Sequence, residues 1–194
     1  MSASPAASAD VPEGFEARRF GDGMVSLNIR PVEPGDFDAW KPLWDGYNAF
    51  YGRAGATALP DEVTQSTWQR FFDPAEPVYA LVAVSGSSLV GLTHYLFHRS
   101  TSRIGLTCYL QDLFTLPAAR GKGVGRALIE GVYASVRAQG LQRVYWQTHE
   151  SNTAGRRLYD QVAENEGFIV YSHTVTQTDQ ATRRSGAEGP EGLG

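Results

Sequence analysis

Residues 120–126 read Arg-Gly-Lys-Gly-Val-Gly-Arg and lie between an apolar strand-like run and an apolar helix-like run. Three glycines at this point bring backbone amides into the open at the N-terminus of a helix. Such a terminus carries unpaired N–H groups and a partial positive charge, so it binds anions and most often phosphate. Arg120, Lys122 and Arg126 add formal positive charge around the turn. The alternative is a glycine-rich connection without a ligand.

This sequence does not match two well-known glycine-rich motifs that bind phosphate. A P-loop requires Ser or Thr after its Gly-Lys, and here Gly123 follows Lys122. The dinucleotide fingerprint requires a third glycine where Arg126 stands. The pattern that does match is Arg-x-x-Gly-x-Gly, formed by Arg120, Gly123 and Gly125. In this spelling the segment resembles the pyrophosphate loop of the GCN5-related N-acetyltransferases (GNAT).

The chain has the length of a single domain, at 194 residues. We expect this domain to cover residues 24–176. The chain starts with a stretch rich in Ala, Ser and Pro and ends with a polar, Gly-rich stretch that has no periodic apolar face. Residues 1–23 and 177–194 are therefore predicted to be disordered tails.

Composition limits the compartment and the partners. A single cysteine excludes an intrachain disulfide and suits a reducing compartment. No apolar stretch approaches the length of a membrane span, and the N-terminus lacks the basic and apolar regions of a signal peptide. A net charge of −4 argues against nucleic acid and favours cationic ligands. We therefore expect a cytoplasmic protein with neither a membrane nor a nucleic-acid partner.

Apolar periodicity predicts a series of strands and helices. The first helix carries an aromatic face, and Pro42 is expected to kink it or split it. The predicted elements are, in order, a strand at 25–30, a helix from Glu33, a helix from Pro60, a hairpin of strands at 78–84 and 89–97, a strand at 105–116, a helix at 121–139, a strand at 143–148, a helix at 152–163 and a strand at 167–175. This order is an antiparallel meander joined to a right-handed βαβ crossover.

The order of elements resembles the GNAT fold over most of the chain. The resemblance implies an α/β (α+β) fold with a mixed, mostly antiparallel central sheet and helices on both faces. It also implies that the strands at 105–116 and 143–148 splay apart at an acetyl-CoA site. An acetyl-CoA-dependent N-acetyltransferase is the activity that follows from it, and homodimers are usual in the family.

The resemblance assigns coenzyme A to two backbone segments. The turn would bind the pyrophosphate through Arg120, Gly121, Lys122, Gly123, Val124, Gly125, Arg126 and Ala127. The preceding strand would bind the pantetheine arm through the main chain of Leu113, Phe114 and Thr115, as in strand addition. Asn152, at the start of the last helix, is a further candidate for coenzyme A binding, and it equally fits an N-cap.

Tyr159 is the candidate catalytic acid. The segment Asn152-Thr-Ala-Gly-Arg-Arg-Leu-Tyr159 resembles the family's helix after the second splayed strand. There a tyrosine hydroxyl can protonate the departing thiolate. The alternative is an ordinary tyrosine packed in a helix.

The catalytic base is less defined by the sequence. Residues 109–114 read Tyr-Leu-Gln-Asp-Leu-Phe and resemble a strand of diamine and polyamine acetyltransferases in which a Glu relays the amine proton. Gln111 occupies that position and cannot act as a base. Asp112 lies on the opposite face of the strand unless a bulge intervenes. His149 is the first candidate because histidine is the side-chain type whose ordinary pKa lies near neutrality, and it equally fits a solvated turn. An amine that enters neutral needs no protein base.

Neither a metal site nor a nucleophilic cysteine is predicted. His94 and His98 share one strand face but have no third ligand in view. Cys108 lies in a strand without a nearby base and is expected to be a buried apolar residue.

The acceptor is predicted to be a small primary amine such as a polyamine or an amino acid. The aromatic end of the first helix and the loop at 52–58 occupy the place where the family shapes its acceptor pocket, and aromatic rings there can bind an ammonium group. Asp45, Asp61 and Glu62 would also favour a cation. The alternatives are a protein or peptide N-acetyltransferase and a GNAT-fold sensor that binds acyl-CoA without turnover.

Overall fold

A single mixed sheet of six strands organises the computed structural model, which describes residues 18–20 and 25–175. The order of the strands across the sheet is their order along the chain. The strands are β1 (Arg18–Phe20), β2 (Val25–Pro31), β3 (Val78–Ser85), β4 (Ser88–His98), β5 (Thr107–Thr115) and β6 (Val144–Tyr145). All neighbours are antiparallel except β5 and β6, which are parallel. The predicted mixed and mostly antiparallel sheet is confirmed.

The described residues include four α-helices, of which two lie between β2 and β3, one lies between β5 and β6, and one follows β6. They are α1 (Phe37–Phe50), α2 (Asp61–Arg70), α3 (Val124–Ala138) and α4 (Thr153–Tyr159). Short 3₁₀ turns precede α1, α2 and α3 at Pro34–Asp36, Gly55–Thr57 and Pro117–Ala119. Pro42 lies inside one continuous α1, so the helix is not split. Among the described residues, no helix is both long and apolar enough to cross a membrane.

Two hydrophobic clusters cover the two faces of the sheet. The α3 cluster consists of the buried residues Leu27, Ile29, Leu81, Ala83, Tyr95, Phe97, Cys108, Leu110, Val124, Ala127, Leu128, Ile129, Val132 and Val136. The α1 cluster consists of the buried residues Val32, Trp40, Leu43, Trp44, Tyr47, Trp68, Ala80, Val82, Leu92 and Phe114. Helix α3 buries the apolar stripe at 3.6-residue spacing that its sequence predicts, and α1 buries its aromatic face.

A β-bulge in β5 decides which side chains face the acceptor side. His94 of β4 pairs with Asp112, but the next residue, Tyr95, pairs with Leu110, so Gln111 is the extra residue. Leu110 therefore packs in the α3 cluster while Asp112 and the residues after it change faces. Phe114 accordingly lies in the α1 cluster. The β-bulge that the sequence allowed, and that changes the face of Asp112, is present.

Several boundaries differ from the predicted ones. Residues 18–20, predicted to lie in a tail, form β1 against β2. The strand predicted at 143–148 is only two residues long, and the helix predicted at 152–163 ends at Tyr159. The rest of the two predicted tails, residues 1–17, 21–23 and 177–194, lies outside the described part.

The strand predicted at 167–175 is wrong. The chain divides into two compact units, residues 1–162 and residues 163–194. In the second unit, residues 163–175 form neither helix nor strand, and Phe168, Ile169 and Tyr171 are exposed. An apolar run becomes a strand only when its backbone pairs with another strand, and no described residue of this unit supplies that pairing.

Candidate active site

The strands β5 and β6 separate almost as soon as they meet. They pair only at Cys108 with Val144 and at Tyr109 with Tyr145. β5 continues to Thr115, whereas β6 ends at Tyr145. In the described part of the chain no strand pairs with this edge of β5 beyond Tyr109. Those backbone N–H and C=O groups of residues 110–114 that point to this edge thus have no strand partner in the described residues, and strand addition binds an extended ligand to such an edge.

The Gly-rich turn opens the N-terminus of α3 next to this edge. Gly121 and Gly123 have φ of 72° and 77°, a left-handed conformation that glycine adopts without strain. The first backbone hydrogen bond of α3 runs from the N–H of Ala127 to the C=O of Gly123, at 3.0 Å. The N–H groups of residues 124–126 precede that bond, and no side chain caps this helix end in the described residues. The result is a cluster of N–H donors at the positive end of a helix dipole.

Two of the three cations around the turn are anchored to the protein. Arg120 donates from Nε to the C=O of Thr115 at 3.3 Å, and Arg126 donates to the side-chain oxygen of Gln161. Lys122 is exposed. The turn therefore combines fixed positive charge with open amides, and its residue types suit a diphosphate.

Helix α4 packs on the first turn of α3. A Cβ at Gly125 would lie 3.1 Å from Cδ2 of Leu158, so a side chain there would crowd α4. The N-cap of α4 is Asn152, whose Oδ1 accepts from the N–H of Gly155 at 3.1 Å and whose Nδ2 donates to Oγ1 of Thr148 at 2.9 Å. Asn152 is therefore the N-cap of α4, and the binding of Asn152 to coenzyme A stays a prediction.

Tyr159, the last residue of α4, is partly buried. Its ring meets Trp146 edge-on, with the centroids 5.4 Å apart. Burial, and then the charge of Tyr51, raise the pKa of Tyr159 to about 12. The hydroxyl therefore keeps its proton, and donates hydrogen bonds, throughout the neutral and mildly alkaline range.

The two candidate bases lie in different surroundings. His149 is exposed in the turn before α4, where Nδ1 accepts from the N–H of Ser151 at 3.2 Å. Asp112 is buried, and its Oδ2 lies 2.9 Å from Nδ1 of His94. The structure does not bring His149 and Asp112 together.

A buried hydrogen-bond chain explains the position of Asp112. The indole Nε1 of Trp40 donates to Nε2 of His94 at 3.0 Å. Because an indole only donates, Nε2 must accept, and Nδ1 carries the ring proton that is donated to Asp112. All three side chains are buried. This chain joins residues 54 and 18 positions apart, and no sequence pattern predicted it.

The end of α1 brings aromatic rings and an arginine together. The rings of Tyr47 and Tyr51 are 5.2 Å apart, and the guanidinium carbon of Arg53 lies 5.9 Å and 5.7 Å from their centroids. Burial, and then the charge of Asp112, raises the pKa of Tyr47 well above its usual range. The rings that were predicted to bind an ammonium group are thus already next to a cation of the protein. Arg53 was not predicted as a site residue.

The two histidines that share β4 have separate partners. His94 belongs to the chain with Trp40 and Asp112, and Nε2 of His98 lies 3.1 Å from the hydroxyl of Tyr145. Cys108 is fully buried in the α3 cluster, and burial raises its pKa to about 12. Such a thiol is not activated as a nucleophile.

Comparisons with known proteins agree with this geometry. A model of the acetyltransferase (GNAT) family matches residues 40–163, more than half of the chain. The chain belongs to this family. It is 34% identical over 145 residues to D-amino-acid N-acetyltransferase HPA3 of Saccharomyces cerevisiae, covering 74% of this chain and 88% of the relative. It is 28% identical over 151 residues to the uncharacterized N-acetyltransferase YhfO of Bacillus subtilis, covering 77% and 98%.

A solved GNAT structure has the same fold. Aminoglycoside N-acetyltransferase AAC(6')-Iy in complex with CoA superimposes with a TM-score of 0.67 at 15% identity, covering 79% of this chain and 98% of that one. As a member of the GNAT family the protein is an acetyl-CoA-dependent N-acetyltransferase.

Proposed function

We propose that this GNAT enzyme transfers the acetyl group of acetyl-CoA directly to the primary amine of a small acceptor, a polyamine or an amino acid. The observation that carries the proposal is the arrangement around the splayed edge of β5. The open N-terminus of α3 lies at one end of this edge, and Tyr159 is placed by α4, which packs on the same first turn of α3. Direct transfer needs no covalent enzyme intermediate and no metal.

The residues present fit coenzyme A. The amides of residues 120–127 would bind its pyrophosphate, and the main chain of residues 113–115 would bind the pantetheine arm. Asn152 would add a polar group at the start of α4, since its amide has lone-pair and N–H capacity beyond its two hydrogen bonds. Acetyl-CoA supplies the activated acetyl group.

Tyr159 stabilises the departing thiolate in this proposal. A thiol has a pKa of about 8.5, so full proton transfer from a phenol of pKa about 12 is uphill by roughly 3.5 pKa units. The hydroxyl therefore contributes mainly by donating a hydrogen bond where negative charge develops on sulfur. Its raised pKa keeps it able to do so at every pH at which an amine is a useful nucleophile.

The acceptor amine loses its proton to water or to His149. His149 is the exposed candidate, and within residues 25–175 no hydrogen bond engages its Nε2. Asp112 is held by His94 and buried, which supports a positioning role more than a base. A His149→Ala variant tests this: an unchanged pH profile of kcat/KM indicates that the amine enters neutral and needs no protein base.

Release of free CoA thiol with a panel of acceptors tests the activity. We expect acceptor-dependent release with small amines and little with peptides that carry a free N-terminus or lysine. Release with peptides only would support the protein N-acetyltransferase instead. CoA binding without acceptor-dependent release would support the acyl-CoA sensor, for which the Gln111 substitution is the motivation.

Family membership also supports a homodimer that acts in the cytoplasm. Light scattering on the purified full chain measures the oligomeric state. A monomer at micromolar concentration would contradict the first expectation.

A further inference from the structure

Arg53 is anchored just after the end of α1. Its backbone N–H donates to the C=O of Asn48 at 2.9 Å, and its Nε donates to Oδ1 of the same residue at 2.8 Å. Asn48 is itself buried and donates from Nδ2 to the C=O of Trp44 at 2.9 Å. The base of the guanidinium is therefore fixed by a buried residue, and the side chain does not sample solvent freely.

Two tyrosine rings orient the guanidinium further. Tyr47 and Tyr51 lie within 6 Å of its central carbon, the range of cation–π contact. Tyr47 in turn stacks on Trp44, with centroids 5.5 Å apart and planes at 10°. The rings of Tyr47 and Tyr51 thus orient the planar guanidinium of Arg53. A guanidinium fixed in this way is suited to bidentate binding of a carboxylate.

The terminal nitrogens of Arg53 have no partner in the part of the chain that the structure describes. A guanidinium has five N–H donors, and the one recorded side-chain bond of Arg53 uses only Nε. The basic residues of the neighbouring elements differ: Lys41 pairs with Asp45 at 2.8 Å, and Arg30 pairs with Asp36 at 2.6 Å. Arg53 is therefore a cation fixed in position whose terminal nitrogens donate no hydrogen bond to the described residues.

Arg53 also lies on the acceptor side of the site. Helix α1 packs directly on β5, since a Cβ at Gly46 would lie 2.7 Å from the ring of Phe114. Phe114 belongs to the segment expected to bind the pantetheine arm. Tyr47, whose ring contacts Arg53, lies in the same α1 cluster as Phe114. The end of α1 therefore lies on the face of the sheet that Asp112 and Phe114 occupy.

We infer that Arg53 binds the carboxylate of the acceptor, so that the enzyme acetylates the α-amino group of amino acids in preference to amines without a carboxylate. The inference rests on the proposed N-acetyltransferase function and narrows its acceptor. A carboxylate would fill the open fork of the guanidinium, and the amine on the next carbon would remain free. A polyamine would instead bring a second cation against Arg53.

Equilibrium binding separates this inference from the activity itself. The titrations use the full-length protein saturated with CoA, with two matched pairs: phenylalanine against phenethylamine, and lysine against cadaverine. Each pair differs only in the carboxylate, and both enantiomers of each amino acid are titrated. Isothermal calorimetry gives the Kd, and CoA thiol release with acetyl-CoA gives kcat/KM.

We expect the wild type to bind at least one amino acid of the panel about tenfold or more tightly than its amine. Arg53→Gln should weaken amino-acid binding by about tenfold to a hundredfold and change amine binding less than about threefold. The amino-acid affinity of Arg53→Lys should lie between those of the wild type and Arg53→Gln, because an ammonium group keeps the charge without the planar fork. Arg99→Gln, an exposed arginine in the loop after β4, is the matched control and should change neither.

Three results would overturn the inference. The first is that the wild type binds both members of each pair with equal affinity, or binds neither. The second is that Arg53→Gln weakens the binding of the amino acid and of the amine equally. The third is a raised KM for acetyl-CoA in that variant, which would place Arg53 on coenzyme A. If Arg53→Gln does not fold, judged by circular dichroism, the Arg53→Lys variant gives the same comparison. Selective amino-acid binding without CoA release would leave the inference standing and contradict the proposed function.

Discussion

The two faces of the sheet bury different kinds of side chain. The α3 cluster is mainly aliphatic, and the side-chain hydrogen bond inside its helix is the local one from Ser135 to the C=O of Gly131. The α1 cluster is rich in tryptophan and encloses the chain from Trp40 through His94 to Asp112. Buried polar groups cost stability unless each is paired, so a chain of three side chains from distant parts of the sequence on the α1 side indicates a task there.

The difference matches the two halves of the proposed reaction. In this proposal the half that would bind the donor consists of backbone: the open amides of α3 and the free edge of β5. The half that faces the acceptor consists of side chains from α1 and the residues after it, among them Tyr47, Tyr51 and Arg53. A backbone site binds the constant part of the donor, and side chains are the part that can differ between acceptors.

Breaking the polar chain of the α1 side should give the largest effect on stability. Asp112→Ala leaves the Nδ1–H of His94 buried without an acceptor, and we expect a loss of about 3 kcal/mol in the free energy of unfolding. Ser135→Ala is the counterpart on the α3 side and should cost less than about 1 kcal/mol. Urea denaturation followed by tryptophan fluorescence measures both.

Asp112→Asn separates the positioning role from a catalytic one. The amide oxygen still accepts from His94, so stability should fall much less than in Asp112→Ala. Since Asn cannot take a proton, a large loss of kcat at unchanged stability would make Asp112 a base and contradict our assignment. Similar losses of stability in Asp112→Ala and Ser135→Ala would remove the contrast between the two faces.

Tyr159→Phe should give the largest effect on turnover. Removing the hydroxyl removes the hydrogen bond to the departing sulfur, and we expect kcat to fall by about a hundredfold with little change in KM for acetyl-CoA. Steady-state kinetics with a saturating acceptor measure this. Equal turnover of the variant would remove Tyr159 from the proposed role.

The pH profile provides a second check on Tyr159. A hydroxyl is active in its protonated form, so ionisation lowers activity only as the pH approaches its pKa. Because that pKa is raised to about 12, kcat should not decline between pH 8 and about 10. A decline centred near pH 10 would indicate a tyrosine with its ordinary pKa as the donor.

The helix start at the Gly-rich turn could be predicted from sequence because its signals are local. The spelling of residues 120–126 and the following apolar stripe specify a helix N-terminus within one short stretch. The acceptor half depends on contacts between distant residues, such as Trp40 with His94, and on one extra residue in β5 that changes the face of Asp112. The exposed run at 168–171 shows the same limit, because apolar composition predicts a strand but does not supply a partner.

Gly123→Ala should weaken the donor half by a smaller amount. An alanine at φ of 77° is strained by about 1 to 2 kcal/mol, and relaxation would turn the amides of the first turn away from the ligand. We expect KM for acetyl-CoA to rise about tenfold, with acceptor KM unchanged. Gly140→Ala is the matched control, because Gly140 has φ of 68° at the other end of α3. Equal effects of both variants on KM would mean that lost stability, not the anion site, is being measured.

Lys122→Gln should give the smallest effect and sharpen the division between backbone and side chains. Lys122 is exposed, whereas Arg120 and Arg126 are held by hydrogen bonds to Thr115 and Gln161. An exposed charge near a helix N-terminus contributes only modestly and is screened by salt, so KM for acetyl-CoA should rise about threefold at low ionic strength. The difference from wild type should vanish near 0.5 M NaCl, because the Debye length there falls to roughly 4 Å. A tenfold loss that persists at high salt would mean that side-chain charge, and not the backbone amides, binds the donor.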